Sequence, residues 1–304
     1  LDDVIAKHRK NGLPVLVLDD GGLVTEILHA KAKYAPYRSV FKVVEQTTGG
    51  ILLAEKQALE VPVVNVARSQ SKQMEGIYIG RTVAMKVMQA LRQSGRALKG
   101  SRVVVMGYGF VGVALVSELK KEGARVTVVE TNPLRAAKAR ALGFKVLEKE
   151  VALGTADVAI GVTGKQSLTL GDLRLLPEGA VVASASSKRV EIDMEALERA
   201  ASKREMLPPS SPNVTLPSAR YQLGRRSIVV LGDGWPVNFD GSIESAPPAA
   251  MQITDAAMLA GALQASAIRS GNPGLHALDS DLDVRILEQF KRLVKGQGRR
   301  LREV

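Results

Sequence analysis

The sequence predicts an α/β protein: a doubly wound parallel sheet with a second, smaller, discontinuous α/β domain. Three observations carry this. Between Arg102 and Val146 a strand, a glycine-rich turn, a helix, a second strand and an acidic residue follow one another. Within the first 70 residues three apolar runs each end in a polar loop. After the last strand of the doubly wound part, two helical stretches remain, which are expected to return to the first layer. The expected division is 1–80 plus 237–304 for the smaller domain and 81–236 for the doubly wound one.

In chain order, residues 1–12 read as a helix closed by Asn11-Gly12. Leu13 to Leu18 reads as a buried strand ending in Asp19-Asp20-Gly21-Gly22. Two carboxylates and two glycines at a strand's carboxyl end suit a binding loop. The alternative is a tight turn whose aspartate caps the next helix, Leu23 to Ala30. Val40 to Val44 is the second strand, followed by Glu45-Gln46-Thr47-Thr48-Gly49-Gly50. Those hydroxyls and amides suit a ribose or a nicotinamide amide, and also a plain polar turn opening a helix over Ile51 to Leu59. Val61 to Val66 is the third strand. Ala67-Arg68-Ser69-Gln70-Ser71-Lys72 then leads into a long helix over Gly76 to Gly95.

Val103 to Met106 opens the doubly wound part. Gly107-Tyr108-Gly109-Phe110-Val111-Gly112 and a helix closed by Gly123 follow, then a strand from Arg125 to Glu130. Gly107 permits the tight turn, Gly109 lets a pyrophosphate approach the backbone, and Gly112 allows close packing of helix and sheet. The free N–H groups of the helix start face the phosphates. Glu130 lies eighteen residues after Gly112, near the roughly 20 expected of a residue that accepts from a ribose hydroxyl. Together these read as a Rossmann dinucleotide site, with a glycine-rich βα turn that binds nothing as the alternative. The carboxylate favours NAD over NADP, and nearby Arg135 tempers that preference. Asn132-Pro133 opens a helix to about Leu142. Strands follow at Lys145–Leu147, Asp157–Val162, Ala180–Ala183 and Ile228–Leu231, and Thr163-Gly164 joins the cofactor residues. An irregular connection carries Pro208, Pro209, Pro212 and Pro217. Pro247-Pro248 introduces a small-residue-rich helix, Ala249 to Ala267, and Ser280 is placed as the cap of a last helix, Asp281 to Val294.

Hydrophobic residues make up 45 % of the 304 and aromatics 4 %, so the core rests on Val, Leu, Ala and Ile. There is no cysteine, which excludes disulfides and thiolate chemistry. His8, His29 and His276 form no ligand motif, and no metal is expected. No apolar run reaches a membrane span and no signal peptide is visible, so a cytoplasmic location is expected. The chain begins at Leu1 without Met, which leaves room for an upstream portion. The net charge is +11, much of it in the tail with Lys291, Arg292, Lys295, Arg299, Arg300 and Arg302. A solvated terminal helix accounts for it better than nucleic acid, since no motif and few stacking aromatics accompany it.

Several segments together resemble the S-adenosyl-L-homocysteine hydrolase (adenosylhomocysteinase) family, over about residues 13–235. Asp19-Asp20-Gly21-Gly22 resembles its D-D-G-G-D-L-T loop, and Glu45 to Gly50 its E-E-T-T-T-G. Asn65-Val66, Ser69 and Lys72 resemble N-V-N-D-S-V-T-K, with Tyr78 and Arg81 following as in Y-G-C-R. Gly107 to Gly112 and Glu130 resemble G-Y-G-D-V-G and its T-E, and Val190-Glu191-Ile192-Asp193 repeats V-E-I-D. The resemblance implies tightly bound NAD between two domains, a small-molecule substrate and a homo-oligomer, dimer or tetramer. The family oxidises a ribose 3′-OH, eliminates a thiol, adds water and returns the hydride. Asp20 is then a candidate acid/base. Lys72 matches the lysine beside the 3′-OH, with a surface lysine as the alternative. Thr47 and Thr48 match NAD contacts, and Asp19, Gln46 and Arg68 fall on the substrate side.

Departures qualify the match. Gln46 replaces the second glutamate and Ala67-Arg68 an N-D pair. The aspartate after the lysine has no clear counterpart in Gln73-Met74-Glu75-Gly76. Ser187-Lys188-Arg189 replaces H-F-D, and Val230 is placed at the asparagine of V-N-L-G. The G-H-P is replaced around Pro236-Val237-Asn238, the K-Y-R-Y ending is missing, and an early substrate segment would precede Leu1. Hydrolysis at the 5′ carbon loses its acid/base groups, while hydroxyl oxidation keeps a base if burial or Arg68 tunes Lys72. The expected activity is NAD-dependent oxidation of a hydroxyl on a nucleoside or sugar-like ligand. The alternatives are an NAD-binding sensor or partner subunit, and a true adenosylhomocysteinase with a rearranged site. Arg68, Lys188 and Arg189, if they face the ligand, favour a phosphate or carboxylate on it; the alternative is that they are surface charges.

Overall fold

The computed structural model describes residues 1–209, 214–241, 248–269 and 271–296. Pro212, Pro247, Arg299, Arg300 and Arg302, singled out above, lie outside them. The chain forms two compact units, 1–75 with 247–304, and 76–246.

The first unit opens with helix α1 (Asp2–Asn11), ended by Gly12 in the left-handed region (φ 69). Strand β1 (Val15–Asp19), helix α2 (Leu23–Ala30), a 3-10 helix (Ala32–Val40), β2 (Phe41–Glu45), α3 (Thr48–Ala54) and β3 (Pro62–Asn65) follow. α3 is shorter than expected, ending at Ala54. Helix α4 (Gln70–Gln93) starts six residues before the expected Gly76. The cause is distant in sequence. Ser69 Oγ accepts from Lys72 N at 3.1 Å, while Asp283 accepts from Gln70 N at 2.7 Å and Ser71 N at 3.0 Å. A carboxylate at a helix N-terminus satisfies its free N–H groups and complements its dipole.

The second unit holds eight strands. In order come β4 (Arg102–Met106), α5 (Phe110–Lys121), β5 (Arg125–Val129), α6 (Pro133–Ala141), β6 (Lys145–Val146), α7 (Lys149–Leu153), β7 (Val158–Gly161), α8 (Leu170–Leu175), β8 (Ala180–Ser184) and α9 (Met194–Ala200). β9 (Lys203–Met206), β10 (Ala219–Leu223), β11 (Arg226–Val230) and a 3-10 turn (Leu231–Gly234) complete it. The strand order is β6-β5-β4-β7-β8-β11-β10-β9. The first six are parallel, and β10 runs antiparallel to both its neighbours. This is the doubly wound sheet that the sequence predicts, extended by an antiparallel edge. Consecutive residues of β4 feed opposite cores: Val103 and Val105 join Leu115, Leu119 and Ile160, whereas Val104 and Met106 join Leu153, Leu173 and Tyr221. Runs of Val in a strand covered on both faces follow from that burial.

The chain then returns to the first unit with α10 (Pro248–Ala267), β12 (Gly274–Ala277) and α11 (Ser280–Gly296). The four strands are parallel in the order β1-β2-β3-β12. β12 was not expected. α10 needs its small residues: a Cβ on Gly261 would stand 2.7 Å from Val44 Cγ1. The cap of α11 is Asp279, which accepts from Asp281 N and Leu282 N at 3.0 Å each, and not Ser280. β1 is not the buried strand that was expected. It is an edge strand, and Leu16 and Leu18 are 42 % and 61 % exposed. Lys291 and Arg292 are exposed on α11. Among the described residues no helix is long and apolar enough to cross a membrane.

Candidate functional site

In the second unit the strand order reverses between β4 and β7. The loops after these strands border the crevice in which doubly wound sheets bind ligands. Gly107 makes the turn at φ 108, and a Cβ there would lie 2.8 Å from Val162 O. A Cβ on Gly112 would lie 2.3 Å from Gly107 O, so this glycine is required by the turn itself. A Cβ on Gly109 would meet nothing within 4 Å. That open space lies at the N-terminus of α5, which no side chain caps. Phe110 is exposed and Val111 partly exposed in its first turn. Glu130 stands over the turn, its Oε2 accepting from Tyr108 N at 2.7 Å and its Oε1 from Asn132 N at 2.8 Å.

Thr163 and Gly164 follow β7, and a buried carboxylate fixes them. Glu191 is fully buried. Its Oε1 accepts from Thr163 N at 2.5 Å, Gly164 N at 2.6 Å and Ser186 Oγ; its Oε2 accepts from Thr163 Oγ1 at 2.9 Å and Ser167 Oγ at 2.5 Å. Sequence reasoning saw Glu191 only as part of a motif.

Past β11, Gly232, Asp233 and Gly234 all have positive φ (56, 51 and 78). The chain then meets the end of β8, where Val237 N donates to Ser184 O at 2.9 Å. The next residue, Asn238, is 1 % exposed, and among the described residues neither Oδ1 nor Nδ2 has a hydrogen-bond partner. Leaving such groups unpaired costs about 1–3 kcal/mol each, so the amide marks a place for a ligand or a water. Val230, where the V-N-L-G asparagine was placed, is instead a fully buried strand residue paired with Val182 and Ala219. The chain's own Val237-Asn238 pair was the signal for the residue that carries the amide. Arg189 is directed at Asp233, not into open space: its Nη2 reaches Asp233 Oδ2 at 2.9 Å and Glu198 Oε1 at 3.6 Å.

The first unit gathers its loops at the carboxyl ends of β1, β2 and β3. Asp19 is buried and caps α2: Oδ2 accepts from Val24 N at 3.1 Å and Thr25 N at 3.2 Å, and Oδ1 from Asp20 N at 3.0 Å. The structure shows the helix-cap arrangement at Asp19. Asp20 is exposed. Glu45 is 1 % exposed and ties two loops, accepting from Gly21 N at 3.1 Å, Gly22 N at 2.7 Å, Thr47 N at 2.6 Å and Thr47 Oγ1 at 2.7 Å. Burial pushes its carboxyl above the usual carboxylate range, against the pull of Thr47 and the backbone donors. Thr47 Oγ1 also caps α3 by accepting from Gly50 N at 3.0 Å. Thr48 is exposed and Gln46 partly exposed.

Lys72 lies in the first turn of α4, not in a loop. Its Nζ pairs with Glu75 Oε2 and donates to Thr254 Oγ1 at 3.2 Å. Glu75 was passed over because the helix was expected to begin at Gly76; from Gln70 onward, positions 72 and 75 share a face. Arg68, expected to tune Lys72, is instead tied to Glu55 at 2.5 and 2.9 Å.

Residues 78–243 match the family description "S-adenosyl-L-homocysteine hydrolase, NAD binding domain". The chain belongs to the S-adenosyl-L-homocysteine hydrolase family. Curated relatives agree. An S-inosyl-L-homocysteine hydrolase from Methanococcus maripaludis is 31 % identical over 74 % of this chain and 53 % of that protein. An adenosylhomocysteinase from Aquifex aeolicus is 33 % identical over 79 % and 57 %, and one from Archaeoglobus fulgidus 32 % over 74 % and 55 %. The chain spans a little over half the length of these relatives. Membership in the hydrolase family brings NAD as the cofactor of the matched domain, and the open Gly109, the uncapped α5 and the unpartnered Asn238 all fit it.

Proposed function

We propose that this chain is an NAD-holding enzyme that oxidises a secondary hydroxyl of a nucleoside or sugar-like ligand, with a substrate other than standard S-adenosylhomocysteine. The observation that carries the reading is Lys72, whose Nζ is held by Glu75 and Thr254 and, with no third partner among the described residues, leaves a position open to a ligand oxygen.

The second unit supplies the cofactor's residues. The N–H groups at the start of α5 and the bare backbone at Gly109 take the pyrophosphate. Glu130 keeps a lone pair on each oxygen for a ribose hydroxyl, and the Asn238 amide complements a carboxamide, donor to acceptor and acceptor to donor. Thr163 and Gly164 line the same edge, and Thr47 and Thr48 are the first unit's candidates. When bound, NAD would supply the hydride acceptor for the carbon that bears the hydroxyl. Lys72 is the base of this reading: the hydroxyl's proton passes to its nitrogen as that nitrogen gives one up to the Glu75 carboxylate, with Thr254 helping to hold it in place. Asp20 is the second acid/base group of the reading, and Gln46 and Arg68 are its substrate-side candidates. The family relatives carry names that differ in the base, S-inosyl and adenosyl, so nucleoside thioethers with either base are the first ligands to screen. The protein assembles as a homo-oligomer in this reading, which sedimentation checks.

One observation favours a non-catalytic NAD-binding subunit: Arg68 and Arg189, at positions where the family differs, are consumed in ion pairs with Glu55, Asp233 and Glu198. The experiment separates the two. The purified chain is denatured and its released small molecules are identified by mass spectrometry; NAD is expected. Nucleosides, their thioethers and sugars are then screened for absorbance of reduced nicotinamide. A ligand that produces it in the wild type and not in Lys72→Met supports the enzyme. Reduction unchanged by Lys72→Met removes Lys72 as the base, and silence across the screen favours the subunit reading.

A further inference from the structure

We propose that Asp233, strapped by Arg189 and Arg204, is a positioning residue that aims Asn238 at the cofactor's carboxamide. This rests on the reading of the second unit as an NAD site. Asp233 is the single non-glycine residue with positive φ among the described residues, an uncommon conformation for an L-residue that Asp adopts more readily than most and that neighbouring contacts can fix. Two cations fix it here. Arg189 Nε donates to the Asp233 carbonyl at 2.7 Å and Nη2 to Oδ2 at 2.9 Å; Arg204 Nη2 donates to Oδ1 at 3.0 Å. The neighbouring Gly234 is confined as well, since a Cβ there would lie 2.7 Å from Met194 Cγ.

The strap fixes where the chain turns back. Trp235 N closes on Gly232 O at 2.9 Å, and Val237 N reaches Ser184 O. On the far side, Lys86 Nζ meets Asp240 Oδ2 at 2.8 Å, both side chains buried. Asn238 sits between these anchors, and its side-chain amide has no hydrogen-bond partner among the described residues. A side chain that no partner orients is placed by its backbone, so the strap does here what a supporting hydrogen bond does for most binding side chains. Arg189 is also two residues from Glu191, which ties Thr163 and Gly164. One short stretch therefore registers both loops against each other.

The test uses the intact chain freed of dinucleotide and titrated calorimetrically with NAD and with ADP-ribose, which has the same phosphates and ribose but no carboxamide. Asp233→Gly keeps the backbone conformation and removes the side-chain contacts. Arg189→Lys, which keeps the charge and loses the two-point grip, is the second variant if the first does not fold. The wild type is expected to prefer NAD. Asn238→Ala and Asp233→Gly should each weaken NAD roughly ten-fold, the worth of one hydrogen bond, and leave ADP-ribose unchanged. If Asp233→Gly weakens both ligands equally, or neither, the positioning role is overturned while the effect of Asn238→Ala leaves the carboxamide contact standing. A wild type that binds neither ligand overturns the dinucleotide reading itself.

Discussion

Replacing Glu191 tests how the site's loops are held. Of its five donors, two are backbone N–H groups that cannot turn away, Thr163 and Gly164, and both bond Oε1. The other three are hydroxyls, which can rotate. Thr163 Oγ1 even has a second acceptor, Lys165 O at 2.8 Å. In Glu191→Gln the remaining carbonyl keeps the two fixed donors, and the amide nitrogen faces hydroxyls that can turn lone pairs toward it. The cost is the exchange of charged for neutral hydrogen bonds, about 1–2 kcal/mol. Glu191→Ala leaves both backbone N–H groups without their acceptor. At about 1–3 kcal/mol for each, with the hydroxyl bonds lost as well, the cost is about 3–6 kcal/mol. For a unit of this size, at about 2–4 °C per kcal/mol, that lowers the melting temperature by roughly 6–24 °C, against roughly 2–8 °C for the amide. Calorimetric melting and NAD titration of both variants read the difference. Alanine melting like the wild type would refute the tie, and glutamine as damaging as alanine would show that charge, not the count of fixed donors, holds the loop.

Four further outcomes are expected. Lys72→Met lowers hydride transfer from the true substrate by about 10²–10⁴ and spares NAD binding, as rapid-mixing absorbance and titration show. Gly109→Ala leaves the melting temperature unchanged, since its Cβ meets nothing within 4 Å, but weakens NAD binding. Gly112→Ala destabilises the free protein by about 1–3 kcal/mol, because its Cβ would lie 2.3 Å from a backbone oxygen; melting scans rank the two. Glu45 sets a pH dependence. Its folded carboxyl is raised above the ordinary 4.5, so its contribution to stability is complete below that value and is lost as pH rises through the raised one. Glu45→Gln should therefore melt with a flatter pH profile from about 4.5 upward, and an unchanged profile would assign the slope elsewhere.

What the sequence showed and what it hid divide along physical lines. The glycine turn was legible because its constraints are local: positive φ at Gly107 and contact between Gly112 and Gly107 lie within six residues. So was the cap of α6, where Asn132 Oδ1 accepts from Arg135 N at 3.1 Å just before Pro133. The start of α4 was not, because Asp283, 213 residues away, completes its cap. That one error moved Lys72 from a helix to a loop and hid Glu75. β12 was hidden because Gly274-Leu275-His276-Ala277 is short and weakly patterned, and only pairing with β3 makes it a strand. The hairpin of β9 and β10 was hidden for the opposite reason. Lys203 to Met206 is an exposed edge with little apolar content.

The carboxylates teach the sharper distinction. Sequence reasoning treats an acid at the end of a parallel strand as a candidate for chemistry. In this chain Asp19 and Glu45 are such acids, Glu191 lies in the segment after β8, and all three are buried among the donors of these loops. Each unit uses the device once between strands: Glu45 joins the loops after β1 and β2, and Glu191 joins the segment after β8 to the loop after β7. A buried acceptor met by two or more backbone donors is satisfied, and it resists being recruited to a ligand because recruitment would strand those donors. Besides Glu130, partly exposed with a lone pair left on each oxygen, the candidate groups with an unspent valence are the third position on Lys72 Nζ, the amide of Asn238, the exposed carboxylate of Asp20 and the bare backbone at Gly109. Two of the four, Lys72 and Asn238, are set by neighbours that a scan of sequence spacing does not reach, Thr254 for one and the Asp233 turn for the other. Residue type at a strand end thus located the loops, and hydrogen-bond accounting, donor by donor, decides which side chains in them remain free for a substrate or a cofactor.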